Sequence, residues 1–214
     1  MKNQKLRKKI LLASYQSNAC HLGGSLSAID IIKEIYKKKK KDDIFVFAKA
    51  SGVSALYCYL YPLKKATEYL KKYPLPAREA GLIHSLGSLG HGLPFAAGLA
   101  LANKKRNVYV LIGEGDVQEG TFWESILFKR QHKLNNLKII LDNNGLQALG
   151  KVKDILDLPY NFLKQNGVKV IKTTKGKGVK MLEEIGYRNH YLNLDENGFK
   201  KAIFQLTSKK SKAR

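Results

Sequence analysis

Among 214 residues there are two cysteines, one tryptophan, two methionines and five prolines. Cys20 and Cys58 are too few for a disulfide framework and lack metal-site spacing, so a reducing compartment, the cytoplasm, is expected. Long apolar runs are lacking too. None approaches the roughly 20 residues that a helix needs to cross a bilayer, and no membrane role is expected. The opening Met1-Lys-Asn-Gln-Lys-Leu-Arg-Lys-Lys is basic, but the Ile-Leu-Leu after it is too short for a signal peptide. With 44% hydrophobic residues the chain can bury a core. No repeat or long linker divides it, so one domain over 1–214 is expected, with a basic tail at about 208–214.

Acid is the scarcer charge. Asp and Glu number 17 against 39 Lys and Arg, a formal charge of +22 at pH 7. Such an excess can serve nucleic acid, but these lysines are scattered, with local runs only at 37–41 and in the tail. A run of five after an amphipathic segment reads as a solvated helix end. Nucleic acid is therefore not the expected partner; a lysine-biased composition or an acidic partner chain accounts for the excess.

Apolar residues at helical spacing predict helices over 6–19, 29–36, 53–60, 93–102, 122–133, 160–165 and 196–206. β-branched and aromatic runs predict strands over 44–47, 108–112, 137–141 and 168–172, while 69–76, with two prolines, reads as a breaker and surface connection. Strands alternating with helices argue for an α/β fold, a parallel sheet with helices on both faces.

The chemistry gathers after the second and third strands. The run Gly113-Glu-Gly-Asp-Val-Gln-Glu-Gly120 empties into a helix with Phe122, Trp123, Ile126 and Leu127 on one side. The next strand ends in Asp142-Asn-Asn-Gly-Leu146, with Asn144 thirty positions after Glu114. Both tips lie at the carboxyl ends of strands, where open α/β sheets bind ligands. A carboxylate and an amide there suit a hard cation such as Mg2+, which takes oxygen ligands and shares them with phosphate.

These two pieces resemble the thiamine-diphosphate motif, Gly-Asp-Gly followed at similar distance by Asn, and their wording is closest to transketolase. Cys20-His-Leu-Gly-Gly-Ser-Leu-Ser27, Gly87-Ser-Leu-Gly-His-Gly-Leu-Pro94 and Thr174-Lys-Gly-Lys-Gly-Val179 with His190 resemble further family stretches, in order, from about Leu6 to Phe204. The resemblance implies an amino-terminal transketolase subunit with the family's diphosphate-binding fold. It implies thiamine diphosphate and Mg2+ as cofactors and a sugar phosphate as substrate. Glu114, Asn144 and the Leu146 carbonyl are the implied metal ligands; Gly87, Leu89, Gly113, Gly115, Asn144 and His190 are the implied cofactor contacts. His21 and His190 are the implied catalytic residues, His21 near substrate oxygens and His190 near the phosphates, with a structural role open for each. Glu119 has the family's inter-site counterpart or simply starts a helix; His84, His91 and His132 read as surface or packing residues. The glutamate that activates the cofactor belongs to the family's other domain. A transferase inactive without a separate carboxy-terminal subunit is therefore expected, as a heterotetramer or dimer of dimers.

Four departures qualify the resemblance. Glu114 stands for Asp, and Ser51 for a histidine in Ala48-Lys-Ala-Ser51. The family's Gly-His-Pro is missing around 75–81, and a strand, an Asp-Gly-His-Asp turn and a helix are absent between 167 and 175. They support the alternative of a non-catalytic, decayed subunit that binds a partner.

Overall fold

The β-branched run Val108–Gly113 lies at the heart of the sheet, buried on both faces as a central parallel strand must be. The computed structural model describes residues 3–208, with the side chain of Asn189 excepted; most of the expected basic tail lies outside the described residues. The chain opens with α1 (Gln4–Ser17) and α2 (Leu22–Lys38), then β1 (Ile44–Phe47), α3 (Val53–Leu60), α4 (Leu63–Lys72) and α5 (Gly92–Ala102). It continues through β2 (Val108–Gly113), α6 (Glu114–Val117), α7 (Gly120–Gln131), β3 (Leu137–Asn143), α8 (Tyr160–Gln165) and β4 (Val168–Lys172). Last come α9 (Lys180–Ile185) and α10 (Glu196–Ser208).

The four strands are parallel and pair in chain order, β1-β2-β3-β4. Crossovers of one hand that always step the same way must all pass over one face. Accordingly Leu93 and Ala97 of α5, Phe122 and Ile126 of α7, and Leu163 of α8 pack on Val110, Ile112, Ile139 and Leu141. The pleat sends Phe47, Leu111 and Ile140 to the opposite face, where they meet Ile10 and Leu11 of α1 and Leu26, Ile29 and Ile32 of α2. Both faces are covered as expected.

Helices α2, α4 and α9 depart from the sequence reading, as does α6, which forms where a turn was expected. Helix α2 begins at Leu22, not near Ile29, and takes in Gly23 and Gly24 despite their poor helix propensity. Every residue from 22 to 29 is buried, so tertiary packing overrides propensity there. Helix α4 runs to Lys72 and occupies the start of the expected breaker; Ala66 and Leu70, one turn apart, are its buried stripe, and the prolines follow it. Helix α9, short and with Leu182 as its buried residue, was not expected. Leu127, read with the apolar side of α7, is instead 62% exposed. Among the described residues no helix is long and apolar enough to cross a membrane, and Cys20 and Cys58 are free thiols.

Candidate active site

Parallel pairing sets Gly113 beside Asp142, so the residues that follow β2 and β3 emerge together. Glu114, buried at the start of α6, accepts the N–H groups of Asn144 at 2.9 Å and Gly145 at 2.6 Å, one on each carboxylate oxygen. The methylene that Glu has beyond Asp lets it span to the neighbouring tip. Burial raises its pKa, partly offset by those two N–H groups and Lys49. Asn144 turns its Oδ1 back to the Leu146 N–H at 3.1 Å. Glu114 is thus brought to the turn that carries Asn144 and Leu146, and their oxygens are hard donors with lone pairs remaining. Among the described residues no three His, Cys, Asp or Glu side chains form a metal cluster. The oxygens available to a cation here are those of the Glu114 carboxylate, the Asn144 amide and the backbone carbonyls of the turn.

Asp116 ties the glycine loop to this turn. Its Oδ1 accepts the Gly90 N–H at 2.9 Å and its Oδ2 the Gly113 N–H at 2.8 Å. Gly90 has φ +77, and a side chain there would meet Glu119 and Thr121, so the loop needs glycine at this point. Thr121 Oγ1 donates to the Gly90 carbonyl. Leu89 lies over Gly115, while Gly87 is exposed. Sequence reading passed over Asp116 as a site residue; its packing role shows only in three dimensions.

Burial pushes the Asp116 carboxyl up to about 6. The fold therefore holds this proton more tightly than the unfolded chain does, so the contribution is full below the ordinary carboxylate range and is lost as pH rises through 6. Asp116→Asn keeps the shape but sets an amide NH2 against a backbone N–H. We expect a loss of about 1–3 kcal/mol in urea denaturation at pH 7, and a variant whose stability no longer falls between pH 4 and 6 through this group. Equal wild-type and variant curves over that range would contradict the assignment.

Two lysines complete the region. Lys49, past the end of β1, is buried with its Nζ 2.8 Å from Asp142 Oδ2. Asp142 also accepts Ser27 Oγ at 2.7 Å and the Thr173 hydroxyl. Lys175 is 4% exposed and donates to the Gln147 carbonyl and to His190 Nδ1, both at 3.3 Å. Among the described residues no carboxylate lies within ion-pair distance of it. Burial, then Lys49, pulls its ammonium down to about 8, against the pull of Glu114. His190 is brought down to about 3 by burial, then by Lys175, His21 and Lys49, and is neutral at pH 7. An ammonium only donates, so His190 accepts at Nδ1 and carries its hydrogen on Nε2. His21, at φ +65, stands edge-on to His190 with ring centroids 4.7 Å apart; burial and Lys175 lower its pKa. Tyr191 closes this aromatic group.

Lys49 and Lys175 are the residues sequence reasoning missed. Lys49 sits inside Ala48-Lys-Ala-Ser51, where Ser51 replaces a histidine, and Lys175 inside Thr174-Lys-Gly-Lys-Gly-Val179, which keeps the family's wording. Their electrostatic reach joins the Glu114 turn to the His21–His190 pair. Lys49 is paired with Asp142, while the Lys175 ammonium, attracted by Glu114 but in ion-pair contact with no carboxylate among the described residues, is left to meet an anion. Of the other histidines, His84 is buried and accepts the Phe47 N–H, while His91 is exposed and His132 half-buried.

Residues 65–203 match the family described as thiamine pyrophosphate enzyme, C-terminal TPP binding domain. The chain belongs to the thiamine pyrophosphate enzyme family. This thiamine pyrophosphate enzyme chain is 36% identical to a subunit of the apulose-4-phosphate transketolase of Actinobacillus succinogenes, over 72% of its length and 66% of that protein's. It is 29% identical to the like-named subunit from Phocaeicola vulgatus, over 89% of this chain and 87% of the other. Solved transketolases share the fold. That of Campylobacter jejuni has TM-score 0.75 at 24% identity, covering 96% of this chain and 43% of its own, and a Pichia stipitis variant has 0.84 at 18%, covering 96% and 40%. This thiamine pyrophosphate enzyme chain thus spans 66% of the first subunit and 87% of the second, but under half of the solved transketolases.

Proposed function

We propose that this chain is the amino-terminal, diphosphate-binding subunit of a transketolase-like transferase that moves a two-carbon ketol unit between sugar phosphates. It forms a single domain, works in the cytosol, and uses thiamine diphosphate with Mg2+. The observation that carries the reading is the juxtaposition of buried, mutually repelling Lys49 and Lys175 with the oxygen-donor turn of Glu114, Asn144 and Leu146. That donor set fits Mg2+, and the two cations fit a diphosphate.

When bound, thiamine diphosphate supplies a nucleophilic carbon and holds the electrons of the transferred unit. The chain's own residues bind and orient it. Lys49, Lys175 and the loops at Gly87, Leu89, Gly113 and Gly115 would hold the diphosphate. Glu114, Asn144 and the Leu146 carbonyl hold the cation. His190 offers an Nε2–H to a substrate oxygen, and His21 beside it relays protons.

A separate carboxy-terminal subunit completes the site, in a heterotetramer or dimer of dimers. Two relatives are themselves named as single subunits of a transketolase. Helix α5 contains no polar residue, yet Phe95, Gly98 and Leu101 face outward, beside exposed Leu127 and Phe128 of α7. A helix apolar all round belongs in an interior, so this face fits an interface.

One observation favours a second reading. Both Glu114 oxygens and the Asn144 oxygen already accept backbone N–H groups, as in a turn that needs no metal. Calorimetry with thiamine diphosphate and Mg2+, with and without the partner subunit, separates the two. Binding that strengthens with the partner, together with ketol transfer only in the mixture, is expected. No binding in either arm leaves the non-catalytic partner-binding subunit.

A further inference from the structure

Lys175 poses a mechanical problem. Its ammonium is buried, repelled by Lys49, and carried on a turn with glycines at 176 and 178, both at positive φ. Local bonds close the turn, the Lys177 N–H on the Thr174 carbonyl at 3.1 Å and the Gly178 N–H on Glu183 Oε1 at 2.7 Å. What anchors it to the rest of the fold is remote in the chain. Arg7 of α1 is fully buried, and its guanidinium meets both oxygens of Asp30 on α2, NH1 to Oδ1 at 3.1 Å and NH2 to Oδ2 at 2.8 Å. Its Nε donates to the Lys177 carbonyl at 3.1 Å, and Lys177 Nζ returns to Asp30 Oδ2 at 2.9 Å. The Gly176 N–H donates to the Gly23 carbonyl of α2 at 3.0 Å. The turn is therefore gripped on the two residues that follow Lys175.

We infer that Arg7, Asp30 and Lys177 are positioning residues that keep the Lys175 ammonium inside the site. A planar, always-charged guanidinium suits this: it grips carboxylate and carbonyl in fixed directions, where a flexible lysine would not. The inference rests on the proposed role of Lys175 in holding a diphosphate, but its main test needs no cofactor.

The test is competitive labelling of the intact chain with an amine-acylating reagent, read by peptide mapping. Lys49 serves as the internal control, since it is equally buried but tied to Asp142. Lys177→Met, at a half-exposed position, removes one bond of the grip; Asp30→Asn removes its charge. We expect Lys175 to label several-fold faster in Lys177→Met and about tenfold or more in Asp30→Asn, through local opening, with Lys49 unchanged in Lys177→Met. Inorganic pyrophosphate affinity should fall in Lys177→Met but not fall further when that change is added to Lys175→Met, the mark of coupled residues. Unchanged labelling of Lys175 in both variants, or Lys49 and Lys175 accelerating together in Lys177→Met, overturns the inference, because the cluster then only stabilises the fold. If labelling responds while neither pyrophosphate nor thiamine diphosphate binds the wild type, with or without the partner subunit, the positioning stands and the proposed function fails.

Discussion

Replacing Lys175 by methionine is expected to weaken thiamine diphosphate binding by about 100-fold or more while leaving the chain no less stable. A desolvated charge contact to a ligand is worth several kcal/mol when truncated. In the free chain, by contrast, the same ammonium is buried beside Lys49 with no ion-pair partner among the described residues, and methionine relieves that. The pH dependence carries a sign. The folded pKa of about 8 lies below that of an exposed lysine. Below pH 8 the ammonium works fully against the fold, and its penalty shrinks as pH rises from 8 towards 10.5. The variant's stability advantage should therefore be present at pH 7 and fade by pH 10. Titration calorimetry and urea melts at both pH values check the two halves. Wild-type affinity in Lys175→Met would remove this residue from the site.

Asp142→Asn is the second large effect, and it acts on the fold. Asp142 is fully buried and binds Lys49, Ser27 and Thr173, thereby joining β3 to α2, to the end of β1 and to the turn after β4. Neutralising it leaves Lys49 buried without its counter-ion, a loss of about 3–5 kcal/mol. That is a large share of the 5–15 kcal/mol typical of a domain. Lys49→Met added to Asp142→Asn should recover much of the loss, since the orphaned charge goes with it. Urea denaturation decides: if the double variant is no more stable than Asp142→Asn, the damage comes from the hydrogen bonds of Ser27 and Thr173, not from the charge.

What the sequence disclosed and what it hid divide along a physical line. Strands β1 and β4 and helices α3 and α8 have the boundaries that periodicity predicts, because each is a short, uniform run between turn residues. The tips of β2 and β3 were legible for the same reason. Helix α9 was not, since one buried residue, Leu182, makes no periodic pattern. The glycine-bearing start of α2 was hidden by propensity. Nor could the burial of Lys49 and Lys175 be read from sequence, because lysine is exposed by default and 39 basic residues offer no contrast. The grip of Glu114 on Asn144 and Gly145 depends on strand register to within one residue, which no single segment encodes.

Strand order matching chain order has a temporal consequence. As the polypeptide leaves the ribosome, each new strand can join the one just made, so the sheet can grow from one edge without waiting for distant segments. Helix α1 is the exception. Tyr15 stacks on Phe199, and Gln4 donates to the Leu206 carbonyl, 202 positions away. Helix α1 thus gains its contacts with α10 only after that helix has emerged.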